Sequence, residues 1–475
     1  MQTTTATQLL VSLDEVSVKR NGQPALHHLS LQVYRGQHWA IIGGSGSGKS
    51  TLTQVLQGNL FFSGRCHWHF TPGENSTVIV VEQQHHFKNR SNTSQFYYQQ
   101  RFNAADAGDS MTVADVLANY SPTEPWIELL QLGPLWNKPL LQLSNGENKR
   151  LQLAGALLAN PAVLVLDNPF VGLDTDGRKI LHTLLNSIAD AGIHVMLVTS
   201  PAELPACITH VAVLNNGRIA SATPIAAYQP ATTSSVLPAR IDALLSTLPA
   251  APEADFEWAI RMENVSLRYG DKVILQGIDW AVKRGSCWNV SGPNGSGKSS
   301  LLSLVTADNP QAYANKIFLF DQLRGSGETI WDIKARIGFV SPELHLYFEP
   351  SSSCYEVVAS GWFDTIGLFR RLSAVQEASV DTWLQIMGLE QLRWKTFSQL
   401  SASQQRMALL TRALVKNPPL LILDEPTQGL DETQTQFFKQ LITAICQRFG
   451  STLVYVSHYS TDLPECIGHY LALGT

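Results

Sequence analysis

The feature that most limits how this chain folds is a Gly-rich sequence, flanked the same way, that occurs twice. Trp39, Ala40, Ile41 and Ile42 run into Gly43, Gly44, Ser45, Gly46, Ser47, Gly48, Lys49, Ser50 and Thr51. Trp288, Asn289, Val290 and Ser291 run into Gly292, Pro293, Asn294, Gly295, Ser296, Gly297, Lys298, Ser299 and Ser300. Both satisfy G-x-x-x-x-G-K-[ST] between a short apolar run and a helical pattern, which is the context that motif requires. Glycines let the backbone curl until its N–H groups face one anion, and the following helix adds its partly positive N-terminus. Lys49 and Lys298 would reach phosphates bound there, and Ser50 and Ser299 would ligate Mg²⁺. A Gly-rich surface loop accounts for one such segment, but not for two in one context.

The repetition extends beyond the loops. Glu15, Val16, Ser17 and Val18 echo the segment from Glu263 to Leu267, and the run ending in Asp167 echoes the run ending in Asp424. The lysines are offset by 298 − 49 = 249 and the aspartates by 424 − 167 = 257, so the second copy carries a small insertion. A period of this size is a duplicated domain and not a solenoid. The 475 residues, 44% hydrophobic, suffice for two separate cores. Domain one spans 8–230, a linker 231–256, and domain two 257–475. Between residues 221 and 252 only Arg240 and Asp242 are charged, which reads as a partly extended linker with a short helix over 239–248. Continuous β-branched runs at 78–81, 163–166 and 195–198 suit strands buried on both faces of a parallel sheet, and helical stretches separate them. The fold class is α/β, two tandem P-loop domains.

Composition excludes several classes. A formal net charge of -5 gives no general nucleic-acid signal. No run of about 18 apolar residues encodes a transmembrane helix, and residues 1–10 do not resemble a secretory signal. The six cysteines (66, 207, 287, 354, 446 and 466) are scattered without a CxxC pair and read as idle reduced thiols. His85 and His86 lack further ligands at metal spacing, and the polar, aromatic stretch 87–103 reads as a loop.

A second set of motifs narrows the family. Leu143, Ser144, Asn145, Gly146 and Glu147, and the segment Leu400, Ser401, Ala402, Ser403, Gln404 and Gln405, resemble the LSGGQ signature of ATP-binding-cassette (ABC) ATPases. Each signature serine lies 23 residues before its aspartate (167 − 144 and 424 − 401). Gly172-Leu173-Asp174 and Gly429-Leu430-Asp431 look like that family's D-loops, and Val456-Ser457-His458 like its switch histidine. The resemblance covers nearly the whole chain. Within the family, the stretches 325–334 and 337–346 are similar to ModF-like tandem ATPases, a group associated with molybdenum transport or photorepair. The resemblance implies ATP and Mg²⁺ as cofactors, ATP hydrolysis, and in each domain an antiparallel β-subdomain and a helical signature subdomain. It also implies head-to-tail pairing of two cassettes, each ATP lying between one P-loop and the other signature, and the flexible linker favours pairing within one chain over a swap between two.

Sorted that way, the two sites differ. The second P-loop would work with Asp424 for the metal shell, Glu425 as general base, His458 at the γ-phosphate, Tyr269 on adenine, and Ser144 and Gly146 of the first signature. The first P-loop would work with Asp167, Gln83 and Ser401. There, however, Asn168 replaces the catalytic glutamate, Ser200 the histidine, Arg20 the adenine aromatic, and Ser403 a signature glycine. In the second domain Glu343 stands near the expected Q-loop glutamine. The resemblance thus implies one hydrolytic and one degenerate site. It favours an energising subunit of a membrane transporter for molybdate or another metal oxyanion or chelate, cytoplasmic or at the inner membrane face, with a permease as partner. The competing class is a cytosolic tandem ATPase uncoupled from transport, acting like a translation factor or a regulatory switch. Its ribosomal members carry a charged arm between domains, where this chain has an almost uncharged linker.

Overall fold

The computed structural model describes residues 8–20, 23–71, 73, 75–82, 111–140, 143, 145–229, 239–248, 255–270, 272–306, 308–342, 344–457 and 460–474. The chain forms two compact units, Met1–Thr232 and Thr233–Thr475. The candidate residues Gln83, Ser144 and His458, the pair His85 and His86, the stretch 87–103 and Glu343 lie outside the described residues.

In the first unit the core sheet orders its strands Val78–Val81, Val163–Asp167, His194–Val198, Trp39–Ile42, His210–Asn215 and Arg218–Pro224. The first five are parallel and the last pairs antiparallel at the edge. The apolar runs are continuous because both faces are covered. Trp39, Ile41, Val163, Val165, Met196 and Val198 enter one core, and their alternates Ala40, Ile42, Leu164, Leu166, Val195 and Leu197 enter the other. The first of these cores is shared with a three-stranded antiparallel sheet, ordered Gln23–Tyr34, Leu9–Arg20, Ser63–Trp68. The second is shared with helices, among them Asn145–Leu158 and Thr175–Asp190.

The second unit repeats the plan. Its five-stranded parallel sheet runs Ile337–Val340, Leu420–Asp424, Thr452–Val456, Cys287–Ser291 and His469–Ala472. Its antiparallel sheet has four strands, Lys272–Lys283, Trp258–Tyr269, Lys316–Leu319 and Gln322–Leu323. The insertion is located here. From the P-loop lysine to the next core strand the second unit takes 337 − 298 = 39 residues, against 78 − 49 = 29 in the first. Strand Gln322–Leu323 and helix Ile330–Arg336 lie in that longer connection.

Two sequence expectations are modified. The helix in the linker segment, Ala239–Leu245, is not part of a spacer: Ile241, Leu245 and Leu248 join the second unit's core alongside Trp383 and Leu384. Arg448 donates to Asp242 at 3.3 Å and to Ser246 at 2.7 Å, fixing that helix to the same unit. The cysteines are all free, but not all scattered: the Sγ atoms of Cys287, Cys446 and Cys466 lie within 4.8 Å of one another.

Phe438 is fully buried on the inward face of helix Glu432–Phe449. Phe438→Ala is expected to destabilise the second unit by about 3–5 kcal/mol, the range for large-to-small core changes, measured as a lowered denaturant midpoint.

Candidate nucleotide site

Each P-loop is shaped by steric necessity. Gly48 and Gly297, at φ 104° and 93°, sit immediately before helices Lys49–Leu56 and Lys298–Val305. A Cβ on Gly48 would stand 2.8 Å from the Ala25 carbonyl oxygen, and one on Gly43 2.1 Å from that of Leu214. On Gly292 it would stand 2.4 Å from the Leu473 carbonyl oxygen. Only glycine fits such close backbone approaches. The ammonium groups fold across the loops. Lys49 Nζ donates to the Gly43 and Gly44 carbonyls at 2.6 and 2.8 Å, and Lys298 Nζ to those of Gly292 and Pro293 at 2.7 and 2.9 Å. A cation held at a ring of N–H groups and a helix N-terminus makes a phosphate cradle.

An aspartate faces each cradle. Asp167 and Asp424 end strands that are buried throughout. The Ser299 hydroxyl donates to Asp424 Oδ2 at 3.4 Å, and Ser50 hydrogen-bonds Asp167 in the same way. Burial pushes the Asp424 carboxyl up to about 7. The Glu425 charge adds to the rise, while Arg406, Lys298 and Ser299 oppose it. Burial also raises Asp167, against Ser50, Lys49 and Lys149. Facing hydroxyl and carboxylate oxygens are a donor set suited to Mg²⁺.

The next residue is where the units part. Asn168 and Glu425 share a left-handed backbone, φ 45° and 44°. Their N–H groups donate to matching carbonyls on the neighbouring strand, Val198 at 2.9 Å and Val456 at 3.0 Å. Backbone position is therefore the same, and chemistry is not. Asn168 Nδ2 donates to Asp167 Oδ1 at 2.9 Å. An amide nitrogen cannot take a proton from water, whereas a carboxylate such as Glu425 can.

Strand register places the remaining candidates. Asp167 pairs with Val198 and Asp424 with Val456, and two residues further along the sequence stand Ser200 and His458. Arg20 pairs with Gln23 as Tyr269 pairs with Lys272, at the ends of equivalent hairpins. The Tyr269 hydroxyl accepts from Asn309 at 2.8 Å, and Asn309 also donates to Ser303 in the P-loop helix. Ser401 caps helix Ala402–Leu414: its hydroxyl accepts from the Gln404 N–H at 3.3 Å, and it lies 3.3 Å from the Ser403 hydroxyl. Gly146 lies in the first turn of helix Asn145–Leu158, beside Leu173. Asp174 and Asp431 cap the helices that follow their D-loops.

Sequence reasoning missed Arg406. Its buried guanidinium donates to the carbonyls of Asp424, Glu425, Pro426 and Ser341, at 3.0, 2.6, 3.0 and 2.7 Å. It fixes the backbone that carries both carboxylates. The equivalent residue, 406 − 257 = 149, is Lys149, which donates only to the Glu82 carbonyl among these carbonyl positions, at 2.9 Å. The signal was a basic residue five positions after each signature serine, but its partners lie far away in sequence.

The sequence profile of the ABC transporter family matches residues 26–171 and 275–428. The chain is 35% identical over 459 residues to the ABC transporter ATP-binding protein ModF of Escherichia coli K12, covering 93% of this chain and 92% of that protein. It is 30% identical to an uncharacterized ABC transporter ATP-binding protein of Schizosaccharomyces pombe, covering 94% and 93%. Among solved structures, archaeal ABCE1 in a ribosome-bound complex with Pelota superposes with a TM-score of 0.63 at 18% identity, covering 97% of this chain and 78% of that one. The chain therefore belongs to the ABC ATPase family, with two cassettes in tandem. It binds nucleotide and hydrolyses ATP. No helix among the described residues is long and apolar enough to cross a membrane.

The buried Asp424 sets a pH dependence. Folded, it holds a proton that the unfolded chain releases near 3.8, so the nucleotide-free chain loses stability as pH rises from 3.8 to about 7. Asp424→Asn is expected to stabilise that form by about 1–2 kcal/mol at pH 8 and by little at pH 4, read by thermal melts at both values.

Proposed function

We propose that this chain is the energising ATP-binding component of a membrane transporter, in which the second P-loop's site turns over and the first holds ATP unhydrolysed. The carrying observation is the pair Asn168 and Glu425, which share one backbone position and one hydrogen-bond register but only one of which is a base. In the second unit, Lys298 and the loop N–H groups bind phosphate, and Tyr269 offers a ring to adenine. Ser299 and Asp424 would hold Mg²⁺, which when bound supplies charge neutralisation on the phosphates. Glu425 accepts the proton of the attacking water, and His458 would supply an imidazole to the γ-phosphate. In the first unit Lys49, Ser50, Asp167 and Gln83 retain the binding functions. Asn168 cannot act as base, and Ser200 and Arg20 supply neither an imidazole nor an aromatic ring.

The transport role is supported by kinship. The ModF relative is named an ABC transporter ATP-binding protein. The zinc uptake ATP-binding protein ZurA of Listeria innocua is 32% identical over 217 residues, 45% of this chain. A permease is then the partner, and molybdate or another metal oxyanion or chelate the cargo.

Steady-state hydrolysis with Mg²⁺ tests the site assignment. Glu425→Gln is expected to lose activity by on the order of 10²-fold or more, and Asn168→Ala to change it less than about twofold. Equal losses in the two variants, or activity surviving Glu425→Gln, would contradict the reading.

A further inference from the structure

Three cysteines distant in sequence meet in the second unit, away from the P-loop. Cys287 opens the strand Cys287–Ser291, Cys446 lies in the last turn of helix Glu432–Phe449, and Cys466 precedes the strand His469–Ala472. Their Sγ atoms are mutually within 4.8 Å. Cys287 and Cys446 are buried, at 7% and 8% exposure, and Cys466 is half-buried. The Gly468 N–H donates to the Cys287 carbonyl at 3.1 Å, pinning the Cys466 segment to the strand.

The first unit is the internal control. Cys466 has a counterpart there, since Leu463-Pro464-Glu465-Cys466-Ile467 matches Leu204-Pro205-Ala206-Cys207-Ile208. The other two do not: His38 (287 − 249) stands for Cys287, and Ala189 (446 − 257) for Cys446. His38 Nδ1 accepts from the Val195 N–H at 3.1 Å and is engaged by the backbone. The fold therefore does not require sulfur at these positions, and only the second unit assembles three.

We propose that Cys287, Cys446 and Cys466 form a three-sulfur site for a soft, monovalent d¹⁰ cation of the Cu(I) class. Thiolate softness selects Cu(I) or Zn(II) over the hard cations. Among the described residues no histidine, carboxylate or fourth cysteine joins the group, and structural Zn(II) takes four protein ligands. Burial argues the same way: a low charge on the ion needs few ionised sulfurs, and each ionised sulfur in an apolar setting is costly. Uptake exchanges thiol protons, released to solvent, for the cation, and no electron moves. The site does not compete with nucleotide. Cys287 is at the opposite end of its strand from the P-loop, about 13 Å away at a strand's rise per residue. An ion there would clamp the strand that feeds the P-loop to the helix that follows the D-loop.

The test uses the full-length, reduced chain without oxygen, titrated with Cu(I) against a coloured Cu(I) chelator and, separately, with Zn(II). The expected result is one Cu(I) per chain with a thiolate-to-metal ultraviolet band. Affinity should weaken on the order of 100-fold in Cys446→Ala and in Cys466→Ser, and stay unchanged in Cys207→Ser and Cys66→Ser. Binding of a fluorescent ATP analogue verifies that each variant is folded. Cu(I) binding that is equally strong in Cys446→Ala and Cys466→Ser, Zn(II) bound more tightly than Cu(I), or no Cu(I) retained against the chelator would each overturn the proposal.

Discussion

The structure turns on a carboxylate placed where a carboxylate is least comfortable, at the end of a strand with no exposed residue. Asp424 and Asp167 end strands flanked by parallel neighbours, each aspartate paired on one side with Val456 or Val198, and burial raises both above the ordinary aspartate range. An unneutralised charge in such a place costs stability. The groups around it offset that cost: the serine at the start of the P-loop helix and the lysine folded over the loop. A cation between the serine and aspartate oxygens would offset that cost.

The two units show how little of the fold must change for the chemistry to change. Sheet order, P-loop and the left-handed residue after the aspartate are shared, yet one residue offers a carboxylate and the other an amide. The supporting shell has diverged as well. Burial lowers both cations, Arg406 to about 10 and Lys149 to about 8, so both stay charged at neutral pH, but only the guanidinium reaches four carbonyls. A planar fork with several donors suits the unit that must hold two carboxylates in place. Fold likeness to ribosome-bound relatives accordingly says nothing about the task, which is set by the sites.

Local order was legible in the sequence. The two P-loops, the buried strands and the paired offsets follow from spacing and apolar runs, because each is a contiguous pattern with a physical reason. The asymmetry of Asn168 and Glu425 was legible too, since it lies one residue after a recognisable strand. What sequence hid were relations made only by folding. Arg406 binds carbonyls up to 65 residues away. Cys287 and Cys446 are 446 − 287 = 159 residues apart and belong to no spacing pattern. The helix Ala239–Leu245 sits in a stretch whose composition suggests a spacer, but Ile241 and Leu245 at helical spacing bury it in the second core.

The central claim, that one site turns over while the other holds its nucleotide, is tested most directly by what stays bound. The chain would be loaded with labelled ATP and Mg²⁺, allowed many turnovers, freed of excess nucleotide and assayed for bound ATP and ADP. The account predicts about one intact ATP retained per chain, absent in Lys49→Ala. Complete conversion of all bound nucleotide to ADP, or intact ATP that survives in Lys49→Ala, would contradict it.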